Sequence, residues 1–336
     1  MKYIICENPG HFSLKEKEKP KPGEGEILIA VKKIGVCGTD IHAYSGNQAY
    51  FSYPRILGHE LATEVADANG SKVFVNGDKA ILIPYLHCGN CIACKSGKTN
   101  CCVNMRVMGV HVDGGMQEFL CVPEWALVKT PQLNYSEMAL VEPLAIAAHA
   151  IRRADIKAGE SVLVMGCGPI GLAIMAIAKS KGAAVIALDI NEQRIQYALG
   201  EIGVDHGVLA GESALEQIKS MTGGANCQAV FDATGNKRAL ESGPDYMSHG
   251  GRYVLVGLSK GELVFSHPAI HAKETTIMCS RNATMEDFEF VISMLAEKKF
   301  PTDSFITHES DFEGMIGVFD SWVKPESQVI KAVINF

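Results

Sequence analysis

The sequence has no basic run longer than a few residues, and its 31 lysines and arginines are outnumbered by 38 aspartates and glutamates, a net charge of −7. That balance argues against nucleic acid or an anionic membrane as a partner. No window of about 18 apolar residues exists, so no transmembrane helix is expected. The longest apolar stretch, MALVEPLAIAAHAI, is broken by Glu142 and Pro143. The start, MKYIICENPG, has no apolar core and no cleavage motif, and does not read as a signal peptide. Repeats and low-complexity segments are also lacking; KEKEKPKPGEGE at 15–26 is a short solvated charge run. What remains is globular: 47% hydrophobic and 21% charged residues. At 336 residues the chain exceeds what one hydrophobic core usually supports, so two domains are expected.

One residue type is abundant. There are 11 cysteines, and the expected compartment is the cytoplasm, where disulfides are rare and dense thiols bind metal or do chemistry. Cys88, Cys91, Cys94 and Cys102 follow the spacing C-x2-C-x2-C-x7-C. Four thiolates so close can wrap a zinc ion tetrahedrally and leave no position open for chemistry, which makes the site structural. A redox C-x-x-C needs only a pair, and an iron–sulfur cluster is the other option in principle. Cys101 is the spare, because its neighbour Cys102 fits the spacing better.

Along the chain, residues 26–35 and 61–83 read as short strands punctuated by Gly and Asn-Gly. From about 160 the pattern becomes strands (SVLVMG, AVIALD, AVFDATG, GGRYVLVG) alternating with helices (PIGLAIMAIAKSKG, NEQRIQYALGEIG), which predicts a parallel sheet. A helix is expected near 284–298 and a last strand in VIKAVINF. The predicted architecture is a β-rich domain, residues 1–147 and 281–336, flanking an α/β domain, residues 148–280.

VLVMGCGPIGL holds G-x-G-x-x-G as Gly166, Gly168 and Gly171, after a strand and at the start of a helix, the context a dinucleotide site requires. Gly166 permits the tight turn, Gly168 lets the backbone approach a pyrophosphate, and Gly171 allows close helix–strand packing. Pro169 and Ile170 complete this candidate cofactor-binding loop. Asp189 ends the next strand, 23 residues after Gly166. A carboxylate there binds ribose hydroxyls and repels a 2′-phosphate, favouring NAD over NADP; its bland reading is a cap for the following helix. Arg194 is a candidate cofactor contact, even a 2′-phosphate ligand, and its bland reading is a solvated helix residue.

VCGTDIHAYSG and ILGHELA hold a second set: Cys37, His59 and Glu60, with Glu142 in LVEPLA further on. A catalytic zinc takes three protein ligands and keeps one position open. Either glutamate qualifies as the third ligand. Each residue alone would more often be structural; the conjunction with a dinucleotide motif and a four-cysteine loop reverses those odds.

With CGTDIH, GHE, the four-cysteine loop, VEPLA, GCGPIG and the closing strands in place, the whole chain resembles the zinc-dependent medium-chain dehydrogenases. It is most similar to the polyol and sugar-acid branch, where Glu142 stands in the region of a second cysteine. The segments GNQAYFSYPRILGHE and CSRNAT resemble bacterial dehydrogenases of hexonates such as L-galactonate or L-gulonate. The resemblance implies a GroES-like β domain plus a Rossmann domain, with the active site in the cleft between them. It implies one catalytic and one structural zinc per chain, and oxidation of a secondary alcohol with hydride passing to NAD. Thr39 would hydrogen-bond the reacting oxygen and His42 would relay its proton to solvent; their bland readings are a helix cap and a surface histidine. Asp40 would orient His59, or else cap a helix. His111 and Asp113 either line the cleft or form a turn. For a sugar-acid substrate, Arg281 is the candidate carboxylate ligand and Asn282 a hydroxyl contact; an arginine bracing the interdomain crossing is the alternative. A homodimer or homotetramer is implied, with GELVF (261–265) as an edge strand pairing between subunits. The rivals are a neutral-polyol dehydrogenase of the sorbitol or threonine type, a non-catalytic zinc- or NAD-binding relative, a zinc-free quinone or enoyl reductase, and an NADP-dependent reductase.

Overall fold

The structure, a computed structural model, describes residues 1–48 and 51–336; Ala49 and Tyr50, inside the GNQAYFSYPRILGHE segment, lie outside the described residues. The chain divides into two compact units, Met1–Glu142 with Thr284–Phe336, and Pro143–Ala283. The division falls within the helix Tyr135–Ala154, a few residues from the boundary expected at 147.

The first unit is built on a mixed seven-stranded sheet. Its central strand, Glu26–Gly35, pairs antiparallel with Glu60–Asp67, with Phe119–Pro123 and with the closing strand Lys331–Asn335. The apolar residues of EILIAVKKIG pack inward: Ile27, Ile29, Val31 and Ile34 are all buried in one core with Leu61, Val65 and Ile334. Among the elements that went unread in the sequence are the strand Ile306–Asp311 and the helix Met315–Trp322. The helix turns Met315, Phe319 and Trp322 into the core, and Phe319 meets Phe12 and Tyr44 edge-on. Its apolar residues recur with helical period but span only two turns, too few to stand out.

The second unit holds a six-stranded parallel sheet. Its order is His206–Leu209, Ala184–Asp189, Ser161–Met165, Cys227–Asp232, Met247–Leu255, Thr276–Cys279. Numbered within the unit this is 3-2-1-4-5-6, the doubly wound dinucleotide-binding order. Continuous apolar runs such as VLVM and AVFD are what a sheet covered on both faces demands. The helix Pro169–Ser180 begins with proline at its first position, where no amide hydrogen bond is lost. Within the single chain residues 261–265 form no strand, and the sheet ends at Thr276–Cys279. The Val264 amide donates instead to the Glu241 side chain at 3.0 Å, and Phe265 packs on the unit's core.

Close packing of the first helix on the first strand rests on Gly171. A Cβ there would lie 1.8 Å from the Gly166 carbonyl oxygen, a backbone atom that cannot rotate away. Gly171→Ala should therefore destabilise the fold by about 1–3 kcal/mol, the usual cost of overpacking, measured by denaturant unfolding. Wild-type stability in that variant would show that the loop relaxes freely.

Candidate active site and metal centres

Three strands and one short helix converge on a buried cluster of charge in the first unit. Cys37 follows the central strand and caps the helix Gly38–Tyr44. The Asp40 carboxylate, 1% exposed, accepts the Cys37 amide at 2.9 Å and the Gly58 amide at 3.2 Å. These bonds tie the cysteine segment to the GHE segment. Burial pushes the Asp40 carboxyl upward, and the His59 ring and the two amides offset only part of that. Asp40 Oδ1 lies 3.9 Å from His59 Nδ1.

The sulfur of Cys37 and the nearest side-chain atoms of His59 and Glu60 all lie within 4.8 Å of one another. Glu142 is not in that triplet. Its Oε1 accepts the hydroxyl of buried Tyr85, and its Oε2 is buried without a partner among the described residues. Burial, reinforced by Glu60, pushes the Glu142 carboxyl up to about 7, with His59 opposing. Asp40, Glu60, Glu142 and the Cys37 thiol thus share one buried region with His59 and Lys331. Such a donor set, with a Glu142 carboxylate oxygen orphaned among the described residues, fits a bound divalent cation.

Lys331 escaped the sequence reading. It is 1% exposed, and its ammonium lies 2.7 and 2.6 Å from the two Glu60 oxygens. Burial works against its charge, but Glu60 and then the Cys37 sulfur outweigh this and raise its pKa. The strand register explains how they meet. Gly35 stands opposite Glu60 on one side and Val333 on the other, and Lys331 shares a strand face with Val333. The Glu60 side chain passes over Gly35, where any Cβ would lie 2.0 Å from Glu60 Oε2. The signal was a lone lysine inside the apolar closing run VIKAVINF. Tyr85 had no comparable signal.

Thr39 sits half-buried in the helix's first turn and His42 is exposed three residues later, so the two share a helix face. The cap is Cys37, so Thr39 is not the capping residue. His111 Nδ1 accepts the amide of nearby Val107, and Asp113 accepts the Ile56 amide and pairs with Arg55, joining its turn to the segment before GHE.

The four-cysteine group is more local. Cys88, Cys91, Cys94 and Cys102 place their sulfurs within 4.8 Å of one another, and all are free thiols. Sulfur separations are 3.5 Å for Cys91–Cys94 and 3.9 Å for Cys91–Cys102. A tetrahedron with metal–sulfur bonds of about 2.3 Å has edges of roughly 3.8 Å, so this cage is the size of a zinc site. The Cys94 amide points at Cys91 Sγ, and this contact leads the effects that lower the Cys91 thiol to about 6. Cys101 stays outside the group.

In the second unit, Gly166 adopts φ 97°, the left-handed region that favours glycine. Gly168 does not, and a Cβ there would meet nothing nearer than Arg194 Nη1 at 3.8 Å. No packing within the chain calls for glycine at 168, whereas the approach of a pyrophosphate to the helix N-terminus does. Pro169 and Ile170 are the first two residues of that helix. The Asp189 carboxylate accepts the Cys167 amide at 2.5 Å and the Asn191 amide at 2.8 Å, which fixes it beside the glycine loop. Asn191 caps the following helix, so Asp189 is not its cap. Arg281 is exposed, after the sheet's last strand, and Asn282 takes φ 53°.

The sulfur cage makes a clear expectation. Cys91→Ser leaves three thiolates, too few to close the site, and should lower both zinc content and melting temperature, measured by elemental analysis and thermal unfolding. Unchanged zinc content would mean that the cage holds no metal.

Residues 23–132 match the alcohol dehydrogenase GroES-like domain family, and residues 169–297 the zinc-binding dehydrogenase family. The chain is 44% identical to L-galactonate-5-dehydrogenase of Escherichia coli strain K12, covering 100% of this chain and 99% of the relative. It is 32% identical to 2-dehydro-3-deoxy-L-galactonate 5-dehydrogenase of Pseudoalteromonas atlantica, covering 96% and 95%. A solved alcohol dehydrogenase, RspB from E. coli CFT073 in complex with NADH, superposes with a TM-score of 0.94 at 30% identity, covering 100% of this chain and 99% of that one. With both domain families matched in order and full-length relatives at this identity, the chain belongs to the zinc-dependent medium-chain dehydrogenases, in their polyol and sugar-acid branch, oxidoreductases that act on CH–OH groups.

Proposed function

We propose that this protein oxidises a secondary alcohol of a hexonate, L-galactonate or L-gulonate being the leading candidates, with NAD as hydride acceptor. The observation that carries the chemistry is the triplet of half-buried Cys37 with buried His59 and Glu60, with ligand atoms within 4.8 Å of one another. The hexonate assignment draws on the 44% identity to the E. coli L-galactonate enzyme. We assign the unit Met1–Glu142 with Thr284–Phe336 as the catalytic domain, and Pro143–Ala283 as the dinucleotide-binding domain.

Cys37, His59 and Glu60 would hold the catalytic zinc, with Glu142 the alternative carboxylate. A zinc ion there supplies Lewis acidity toward the substrate hydroxyl, while NAD supplies the hydride acceptor. The chain's own residues position, shield and move a proton. Asp40 orients His59 and anchors the Cys37 and Gly58 amides. Thr39 Oγ1 accepts the substrate's hydroxyl proton in exchange for its own, and exposed His42 on the same helix face passes a proton to solvent. Tyr85 holds one oxygen of Glu142. The four cysteines hold the structural zinc. Gly166, Gly168, Pro169, Ile170 and Gly171 cradle the pyrophosphate, Asp189 takes the ribose hydroxyls, and Arg194 lies beside Gly168 within reach of the cofactor.

We also place the protein in the cytoplasm, whose reducing conditions keep free thiols such as these reduced, and as a homodimer or homotetramer. The outer edge of strand Thr276–Cys279 has no strand partner among the described residues, which suits pairing with a second copy. Oxidation of a neutral polyol is the second reading, favoured by Glu142 in place of a second cysteine and by 33% identity to a sorbitol dehydrogenase of Halalkalibacterium halodurans.

Two experiments test this. NADH formation is followed with L-galactonate, L-gulonate and a hexitol. Arg281→Ala should reduce kcat/KM for the hexonate by about 2–4 kcal/mol, the value of a paired carboxylate, and leave the hexitol nearly unchanged. Equal loss on both substrates would assign Arg281 to structure and remove the physical case for a sugar acid. Separately, Asp189→Ala should weaken NAD binding by about 1.5–3 kcal/mol and relax discrimination against NADP, measured by fluorescence titration. A wild-type enzyme preferring NADP would contradict the role of Asp189.

A further inference from the structure

We infer that Tyr85 is a positioning residue that links the two candidate metal centres: the cysteine cage fixes the hairpin that carries Tyr85, and the Tyr85 hydroxyl fixes the Glu142 carboxylate beside Cys37, His59 and Glu60. The inference rests on the reading of the cage and the triplet as metal sites.

Tyr85 lies three residues before Cys88, the first cysteine of the cage. Its strand, Tyr85–Leu86, pairs antiparallel with Arg106–Val107, which begins four residues after Cys102. The register sets Tyr85 opposite Val107 and Leu86 opposite Arg106. Even a full two-stranded hairpin is marginal in water, and a ladder of two residue pairs is weaker still. The loop it closes adds little, since among the described residues 87–105 only Asn100 and Cys102 are buried. On the sheet side, the Ile83 amide donates to the Ala126 carbonyl at 2.8 Å and the Met108 amide to the Pro84 carbonyl at 3.1 Å. On the loop side the two stems are joined by the cage itself, where the Cys88 amide donates to Cys102 Sγ at 3.3 Å and four sulfurs converge. Tyr85 therefore stands between a sheet that is stable without metal and a cage that is not.

The other end of the side chain meets the buried charge. Tyr85 is 4% exposed, its ring lies edge-on to Phe288 with centroids 6.1 Å apart, and its hydroxyl donates to Glu142 Oε1. Phenylalanine would fill the same space against Phe288; the hydroxyl is the part of the residue that packing does not require, and when buried it demands a partner. Glu142 Oε2 has no partner among the described residues. A buried carboxylate held at one oxygen presents the other in a fixed direction, which is how outer hydrogen bonds prepare a ligand for a metal. The chain of contacts runs from cage to ladder to hydroxyl to carboxylate within one compact unit. A change in the cage that loosens the ladder should thus be felt at the triplet, although the two share no residue.

The test reads metal affinity rather than turnover. Zinc affinity of the full-length protein is measured by competition with a chelator, and Cys37→Ala identifies which step of the titration belongs to the triplet. Tyr85→Phe keeps the ring and removes the hydroxyl; it should weaken zinc binding at the triplet by about tenfold, a usual loss when a ligand's supporting hydrogen bond goes. Cys91→Ser should also weaken the triplet, by at least about threefold. In the Tyr85→Phe background the same cysteine change should cost the triplet less than about twofold, because its route is already cut. Unchanged triplet affinity in Tyr85→Phe would overturn the inference. So would an equal cost of Cys91→Ser with and without the hydroxyl, the mark of general loosening. If Cys91→Ser does not fold, reciprocity decides. The cage should hold zinc at least about threefold more tightly in wild type than in Cys37→Ala, where the triplet is empty, and the difference should vanish when both proteins also carry Tyr85→Phe. A cage indifferent to the triplet would overturn the inference. Wild-type protein that binds zinc at one centre alone would refute the underlying metal reading, an outcome distinguishable from all of these.

Discussion

The unit Met1–Glu142 with Thr284–Phe336 depends on one constraint: several acidic groups are buried around a single histidine, and their charge has to be balanced inside the fold. Asp40, Glu60 and Glu142 are all at most 4% exposed, and the Cys37 thiol lies with them. Backbone amides satisfy Asp40, Lys331 balances Glu60, and Tyr85 holds one oxygen of Glu142. What is left over among the described residues is an orphaned Glu142 oxygen and a His59 Nδ1 that meets Asp40 only at 3.9 Å. Uncompensated buried charge is among the costliest things a fold can contain. A divalent cation resolves it, so in this unit the demand for metal and the demand for stability arise from the same atoms.

The two candidate metal centres solve assembly in opposite ways. The cysteine cage is written within 15 consecutive residues, 88–102, and its sulfurs are aimed by the amides of a short turn and helix. It needs the metal to order a lobe with little apolar content, and nothing distant to define it. The triplet joins a helix cap, a loop end and a strand, and is supported by residues as remote as Lys331. Here the sheet comes first and the site follows from its register. Closed and local suits a structural ion; a dispersed set suits one that must exchange partners during a reaction.

The dinucleotide site follows a third logic. Its proposed phosphate loop is local, but Asp189, the residue proposed to set specificity, comes from the next strand. Asp189 reaches the loop because Ala184–Asp189 pairs in parallel with Ser161–Met165, which sets Leu188 opposite Met165, and the carboxylate is then held by the Cys167 amide. A pre-oriented carboxylate loses little entropy when it meets a ribose, which is how a single side chain can set cofactor preference.

Much of this was legible without coordinates. Patterns whose spacing is itself the chemistry survive in the linear chain: four cysteines in tetrahedral register, three glycines between a strand and a helix, apolar runs that demand a covered parallel sheet. Cys37, His59 and Glu60 could be named for the same reason, since metal-binding residue types in short motifs carry their meaning locally. Lys331, Gly35 and Tyr85 could not be assigned, and neither could the choice between Glu60 and Glu142. Residues 261–265 form no strand within the single chain, where the Val264 amide goes to the Glu241 side chain, a partner that could not be seen in the sequence. Those outcomes depend on which strand lies beside which, and in what register. A one-residue slip of Lys331–Asn335 against Glu26–Gly35 would turn Lys331 to the opposite face and leave Glu60 without its counter-charge. The residue types and their local spacing were decided by the sequence alone. The pairing of buried charges across the central strand was decided only by the tertiary structure, because burial turns a distant lysine into the nearest available counter-ion.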